Sequence, residues 1–265
     1  MNSNINYELE FLFGRWYERM EKTNGEKTCF TKDGILYKNE LSDDEIVKKW
    51  NESSKRVMFL LKDQNQEGKE KWDEDIRYWL KDAEWDKLKA KETKEKNRNL
   101  DNKFFKNLAY LFWGLSKATA DDDNAWWYNE VTMHIEEVKA FFNSQPFALV
   151  ECKKQPGGGK LDNKVLVEHL NNYKDLLERE IEIMKPNMIV CTNHHIYGTV
   201  LNMNLFPKNE VVSVNGHKQV SFHIPTGTLV FCSYHPSAPF LSDVDIYEKG
   251  VMEHYRAFLK RIYNL

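Results

Sequence analysis

Residues 147–191 read FALVECKKQPGGGKLDNKVLVEHLNNYKDLLEREIEIMKPNMIVC, and this stretch decides the fold class. Residues 147–150 are a short apolar run, which indicates a buried strand. A helix is predicted from about residue 164 to residue 184, where Lys185-Pro186-Asn187 stops it. Residues 188–191 form a second apolar strand. A strand, a crossover helix and a second strand predict two parallel strands in one sheet.

The same alternation extends outward in both directions. Residues 57–61 and 229–232 are apolar runs followed by polar residues, typical of strands that are buried on both faces. Residues 211–214 and 217–222 flank Asn215-Gly216, a dipeptide favoured in tight hairpin turns. The spacing of apolar residues predicts helices at residues 5–20, 104–115, 131–142, 196–203 and 244–262.

These elements predict the α/β class, with three layers (α/β/α), a central, mostly parallel, four-stranded sheet and an N-terminal helical extension. We expect residues 1–54 to form this extension, packed on a main domain of residues 55–265. Asp43 and Asp44 after Ser42 indicate a helix start within the extension. The charged segment 81–106 is expected to be a solvated helix or loop, because its mixed charges generate little net field.

The composition is that of an ordinary globular protein. The chain has 265 residues, of which 41% are hydrophobic and 30% charged, and a formal net charge of −3. This charge neither supports nor excludes a nucleic-acid partner, because a basic groove can form locally. No apolar run is long enough for a membrane span and no secretion signal is visible, so we expect a cytoplasmic protein without a membrane partner. The four cysteines form no Cys-x-x-Cys pair, so we expect free thiols, no metal and no cofactor.

Polar residues follow each of the four apolar strands. They are Asp63-Gln64-Asn65, Glu151 with the segment up to Gly159, Thr192-Asn193-His194-His195, and His235-Pro236-Ser237. The carboxyl ends of parallel strands meet at one edge of a sheet, where open α/β sheets bind their ligands. We therefore expect a carboxylate, a glycine-rich turn and a histidine around one crevice. Each loop also has a structural explanation, as a turn, a surface loop or a hydrogen-bonded strand end.

In this order, the segments resemble the motifs of the uracil-DNA glycosylase superfamily. Members of that family have a water-activating loop of the type Gly-Gln-Asp-Pro, a base-recognition strand, a Gly-Ser turn before a helix and a final His-Pro-Ser. The corresponding segments are residues 61–64, 148–151, 190–193 and 235–237, and the resemblance covers about residues 55–262. The chain departs from the motifs at Leu61 and Gln64, which replace glycine and proline, and at Thr192-Asn193, which replaces Gly-Ser.

The resemblance implies a DNA base glycosylase, a hydrolase that flips a damaged or deaminated base from the duplex and cleaves its N-glycosidic bond. Asp63 would activate the water, and His235 would donate a hydrogen bond to the departing base. The implied base-binding residues are Glu151, Gln64 and Asn65. The implied nucleic-acid contacts are Lys153, Lys154, Gly157, Gly158, Gly159, Thr192, Asn193, Ser237, Phe240 and Leu241. The resemblance implies no cofactor, and the expected partner is DNA, bound by a monomer.

Glu151 stands where family-one enzymes use an asparagine to read uracil. An ionised carboxylate accepts hydrogen bonds but donates none. We therefore expect Glu151 to read two adjacent donors, such as the N1–H and the exocyclic amine of guanine. The alternative is an ion pair of Glu151 with Lys153 or Lys154 outside the pocket.

Three function classes stay open. The first is the base glycosylase, and the second is a protein that keeps the fold as a nucleic-acid or partner-binding module without turnover. The changed residues around Asp63 favour the second class. The third is an unrelated α/β hydrolase or nucleotide-binding protein. The chain has neither Gly-x-x-x-x-Gly-Lys-Ser/Thr nor Gly-x-Ser-x-Gly, which argues against the third class.

Overall fold

The computed structural model describes residues 5–25, 28–38, 41–66, 71–81, 83–85, 99–120, 126–158, 161–214 and 216–262. The helices in this part of the chain are α1 (Ile5–Asn24), α2 (Asp43–Glu52), α3 (Lys103–Lys117), α4 (Tyr128–Met133), α5 (Ile135–Ser144), α6 (Asn163–Met184), α7 (His194–Val200), α8 (Asp243–Tyr247) and α9 (Glu253–Ile262). The strands are β1 (Thr31–Lys32), β2 (Gly34–Ile35), β3 (Val57–Asn65), β4 (Glu74–Asp75), β5 (Ala148–Gly157), β6 (Met188–Cys191), β7 (Val211–Val214), β8 (His217–His223) and β9 (Thr228–Cys232).

The main sheet has the strand order β2-β5-β3-β6-β9-β8-β7. Its four central strands, β5, β3, β6 and β9, are parallel, while β2, β8 and β7 run antiparallel to their neighbours. The chain is therefore mixed α/β with a mostly parallel sheet centre, as predicted. The predicted number of four strands is wrong for the described sheet, because a short N-terminal strand and the hairpin add antiparallel strands at its two edges.

The two faces of the sheet support separate apolar clusters. Along β3, Val57, Phe59 and Leu61 pack on one face with side chains of α3, α5, α8 and α9. The alternate residues Met58 and Leu60 pack on the other face with α1, α2, α6 and α7. Successive strand side chains point to opposite faces, so an uninterrupted apolar run is what a strand covered by helices on both sides requires.

The N-terminal segment contributes more than helices. Ser42 caps α2 in a reciprocal capping box with Glu45, which confirms the predicted helix start. The short strand β2 pairs with β5, and the buried Asp33 just before it accepts a hydrogen bond from the Glu151 backbone N–H (2.7 Å). Residues 31–35 therefore complete the sheet edge beside the central strands. The boundary of the extension at residue 54 stays a prediction.

Strand β5 is longer than its sequence indicates. Residues 151–157 were expected to form a loop, but they continue β5 beside β3, with Asp63 opposite Lys153 and Asn65 opposite Gly157. The extension is possible because β3 also runs on to Asn65, so each strand satisfies the backbone groups of the other. Both strands thus project beyond β6, which ends at Cys191. This projection forms one wall of the candidate site.

Candidate functional site

A cavity of about 500 Å³ opens at the carboxyl end of the parallel strands. It lies between the projecting ends of β3 and β5, the start of α3 and the loop that follows β9. Its lining includes the carboxyl groups of Asp63, Glu74 and Glu151, the rings of Trp72, Trp79, Phe104 and Phe105, the imidazole of His235, and the side chains of Leu61, Gln64, Asn65, Asn102 and Ser237. Asp63 and His235, predicted on separate loops, therefore face one cavity.

Asp63 is held in a crowded position at the cavity wall. Its side chain is 7% exposed, and Lys153 Nζ lies 3.4 Å from Asp63 Oδ2. The backbone of Gly157 packs directly against the same carboxyl group, so closely that a Cβ there would overlap Oδ2. Burial raises the pKa of Asp63 above its usual value, and the positive charge of Lys153 partly opposes this rise. Neighbouring residues thus fix both the position and the charge of the carboxylate.

His235 is neutral, and its hydrogen bonds define which nitrogen carries the proton. Burial, assisted by the charge of Lys62, lowers the pKa of His235 from 6.5 to about 4. The Ser237 backbone N–H donates to Nδ1 (3.2 Å), and the Ser237 hydroxyl lies 2.9 Å from the same atom. A backbone N–H can only donate, so Nδ1 is an acceptor and the ring proton is on Nε2. The centroid of the His235 ring lies 5.7 Å from the centroid of the Phe104 ring.

Glu151 is buried at the base of the cavity, with 2% of its surface exposed. Burial, and then the negative charges of Asp33 and Asp63, raise the pKa of Glu151 well above its usual value. Its Oε2 atom has no hydrogen-bond partner within the described structure. The structure therefore argues against the ionised carboxylate expected from the sequence. A protonated carboxyl group donates one hydrogen bond and accepts another.

The two other predicted base-binding residues differ in their surroundings. The Gln64 side chain is buried and lines the cavity, but its amide is hydrogen-bonded to Thr31, Gln66 and Glu74, so its role in reading a base stays a prediction. These contacts fix the neighbouring Glu74 at the cavity wall. Asn65 is exposed and lines the cavity, where its amide can reach a bound molecule.

The structure contradicts the predicted phosphate contacts of the two lysines. Lys154 is fully buried and binds Asp33 (2.6 Å) and Glu180 (2.8 Å), so it cannot reach a nucleic acid. The Lys153 ammonium is also buried and is directed to Asp63 and to the carbonyl oxygen of Gln155 (2.5 Å). The reason is the extension of β5, which turns an expected surface loop into an inner strand.

The predicted turn residues are likewise engaged in structural contacts. Thr192 is buried and donates its hydroxyl to the Leu60 carbonyl (2.9 Å), which excludes it as a nucleic-acid contact. Asn193 caps α7 by accepting the His195 N–H (2.8 Å). The Gly157 carbonyl accepts from the Gln66 N–H. Gly158 is exposed, whereas Gly159 lies outside the described residues.

The loop after His235 presents an apolar tip beside the cavity. Phe240 is 97% exposed, whereas Leu241 packs against the core cluster below it. Lys103 donates to the carbonyl oxygens of Ala238 (2.7 Å) and Leu241 (2.6 Å), which fixes the loop to the start of α3. An exposed phenylalanine on an anchored loop is available for contact with a partner, whereas the partly buried Leu241 is already packed in part against the core.

Several residues of the cavity were not predicted. Phe104 and Phe105 lie in the first turn of α3, and Trp72 follows β3 in a polar segment without a recognisable motif. Lys62 lies in the segment that resembles the water-activating loop, but no role was predicted for it. Its positive charge acts to lower the pKa of both Asp63 and His235. The sequence does show tryptophans in an otherwise polar segment. This pattern indicates that they contact something, but it does not indicate which surface or cavity they line.

Within the described ranges, His, Cys, Asp and Glu side chains form no group of three that could hold a metal ion. In the same ranges, no helix combines the length and apolarity needed to cross a bilayer. Comparison of the chain with protein-family models, with curated proteins and with solved structures finds no match. The function therefore has to be inferred from the residues of the cavity.

Proposed function

We propose that the protein is a nucleic-acid base glycosylase, a hydrolase that cleaves the N-glycosidic bond of a base flipped into the cavity. The observation that carries this proposal is that Asp63 of β3, Glu151 of β5 and His235 of the loop after β9 line one aromatic-walled cavity. A cavity with aromatic walls and convergent polar groups suits a heterocyclic base, and the volume of about 500 Å³ accommodates a nucleoside. We further interpret the fold as a three-layer uracil-DNA glycosylase-like domain.

The residues divide the chemistry among them. Cleavage of a base–sugar bond creates positive charge on the sugar, which the Asp63 carboxylate stabilises while it accepts a proton from the attacking water. His235 donates a hydrogen bond from Nε2 to the departing base. Its pKa of about 4 keeps it neutral, so it stabilises the base without transferring a proton. Glu151 contacts an edge of the base.

Phe240 supports base flipping from DNA. An exposed apolar side chain beside the cavity can fill the space that a flipped nucleotide leaves in the duplex. Phe240→Ala is expected to lower the rate of base release from duplex DNA by about tenfold and to leave the melting temperature unchanged, because the ring is 97% exposed. Met133→Ala, which removes another exposed side chain, is the control.

The second candidate is a binding module without turnover, and the Lys153–Asp63 contact favours it. An ammonium group 3.4 Å from Oδ2 competes with water for the carboxylate. In such a module, the cavity would bind a nucleotide, but Asp63 would not deprotonate water.

Base-release assays distinguish the two candidates. Oligonucleotides that carry uracil, hypoxanthine, xanthine or an alkylated base are incubated with the protein, and abasic sites are detected as alkali-labile breaks. We expect breaks with at least one base, abolished by Asp63→Asn and by His235→Ala but retained by the surface controls Asp175→Asn and His134→Ala. Salt-sensitive binding without any abasic site would support the module instead.

A further inference from the structure

Four aromatic side chains line the cavity: Trp72, Trp79, Phe104 and Phe105. The ring centroids of Phe104 and Phe105 lie 5.1 Å apart, and those of Trp79 and Phe105 lie 6.3 Å apart, both with edge-to-face geometry. The face of an aromatic ring carries partial negative charge and attracts a cation. Aromatic walls therefore favour a positively charged guest over a neutral one of the same shape.

Carboxyl groups add to this preference. Glu151 is buried in the wall, its Oε2 atom has no hydrogen-bond partner, and it forms no ion pair within the described part of the chain. The two nearest lysines are engaged elsewhere, Lys154 with Asp33 and Glu180, and Lys153 with Asp63. Burial disfavours the ionised form of Glu151, and a cationic guest placed against it would favour that form again, since no lysine among the described residues pairs with it.

The same groups oppose an anionic leaving group. A neutral base such as uracil departs with a negative charge, which would develop beside the carboxyl groups of Asp63 and Glu74, while protonated Glu151 supplies no positive charge to offset it. Among the described residues that line the cavity, His235 is the imidazole placed to assist, and as a neutral ring it offers a hydrogen bond rather than a full positive charge. A base that is already cationic departs as a neutral molecule, so it creates no negative charge in this cavity.

We propose that the cavity selects a positively charged, N-alkylated purine, of which 7-methylguanine is the example to test. This inference rests on the proposed function. Water oxygen bonds to the sugar C1′, and the electron pair of the C1′–N9 bond enters the purine ring and neutralises its charge. Asp63 takes the water proton. The alkylated purine leaves neutral, and the abasic sugar remains in the strand.

A binding measurement tests the preference independently of turnover. The protein is titrated with 7-methylguanosine and with guanosine at mildly acidic pH, where the ring of the former is cationic, and tryptophan fluorescence or calorimetry reports the affinity. We expect 7-methylguanosine to bind about tenfold more tightly. Trp72→Leu should remove most of this difference, whereas Trp127→Leu, an exposed tryptophan outside the cavity, should keep it. Equal affinities of the two nucleosides would overturn the inference.

A base-release measurement separates this inference from the proposed function. Matched oligonucleotides carry a single 7-methylguanine, hypoxanthine or uracil, and abasic sites are counted under single-turnover conditions. Release of 7-methylguanine about tenfold faster than of either neutral base, relative to the spontaneous rates, supports the inference. Faster release of uracil or hypoxanthine overturns it and leaves the glycosylase standing. If no base is released, the glycosylase fails, and the nucleoside titration alone decides what the cavity binds.

Discussion

Ser237 donates its backbone N–H to Nδ1 of His235 across 3.2 Å, and its hydroxyl approaches the same nitrogen to 2.9 Å. Pro236, which lies between the two residues, fixes the backbone, and its carbonyl accepts from Asn107 (2.8 Å). The loop thus makes Nδ1 a hydrogen-bond acceptor and leaves Nε2 as the nitrogen that carries the proton and donates. Three residues that are adjacent in sequence therefore define both the tautomer and the orientation of the histidine.

Ser237→Ala is expected to slow base release by about tenfold without changing nucleic-acid affinity, because one of the two groups that hold the ring is lost. Single-turnover kinetics and a binding titration measure the two effects separately. Ser213→Ala, on the exposed face of β7, is the control. Unchanged kinetics in Ser237→Ala would show that the backbone N–H alone holds the imidazole.

Gly157→Ala is expected to slow base release by about 100-fold, because its Cβ would displace the Asp63 carboxylate that the glycine backbone now contacts. Gly158→Ala is the matched control, since a Cβ at Gly158 meets no atom within 4 Å. Both variants should fold, which circular dichroism checks. Equal activities of the two variants would contradict a requirement for this position of Asp63.

Glu151→Gln is expected to stabilise the protein relative to the wild type increasingly as the pH rises. The folded-state pKa of Glu151 lies well above its ordinary value of 4.5, so the unfolded chain ionises first and the wild type loses stability as pH increases above about 4.5. Glutamine cannot ionise and avoids this loss. Urea unfolding at pH 5 and pH 8 measures the difference, with the exposed Glu168→Gln as control. A pH-independent difference would mean that Glu151 is not protonated.

Lys154→Met is expected to lower the free energy of unfolding by about 3–5 kcal/mol, because it leaves the buried carboxyl groups of Asp33 and Glu180 facing each other without a cation. Arg19→Met, which breaks the exposed pair with Asp175, should cost less than about 1 kcal/mol. Chemical denaturation of both variants provides the comparison. A small loss for Lys154→Met would indicate that water reaches the two carboxyl groups.

Local sequence patterns were sufficient to predict most of the strands and helices. Apolar runs marked β3, β6 and β9, and Asn215-Gly216 marked the turn between β7 and β8, where Gly216 has a φ of +80°. The helix predicted over residues 131–142 divides at His134, whose backbone departs from helical geometry (ψ of 32°). Apolar spacing continues across this break, so periodicity alone could not reveal it.

The candidate site was predicted only in part, because strand order and burial depend on distant residues. The placement of Asp63 and His235 at one cavity follows from the rule that parallel strands bring their carboxyl ends to one edge of the sheet. The burial of Lys154 does not follow from any local rule: it lies in the extended part of β5 and pairs with Asp33 and Glu180, which are 121 and 26 residues away along the chain. Sequence patterns report the polarity of a residue, whereas its exposure depends on which elements pack over it.

The sequence by itself determined the alternation of strands and helices and the polar groups at each strand end, since these depend on local apolar spacing and turn residues. Three features depend on the tertiary structure: β3 and β5 project together, Glu151 is buried with no ion pair among the described residues, and the rings of Trp72 and Phe104 line the cavity. The physical reason is that the charge state and reach of a side chain depend on desolvation and on neighbours that the fold brings from far along the chain.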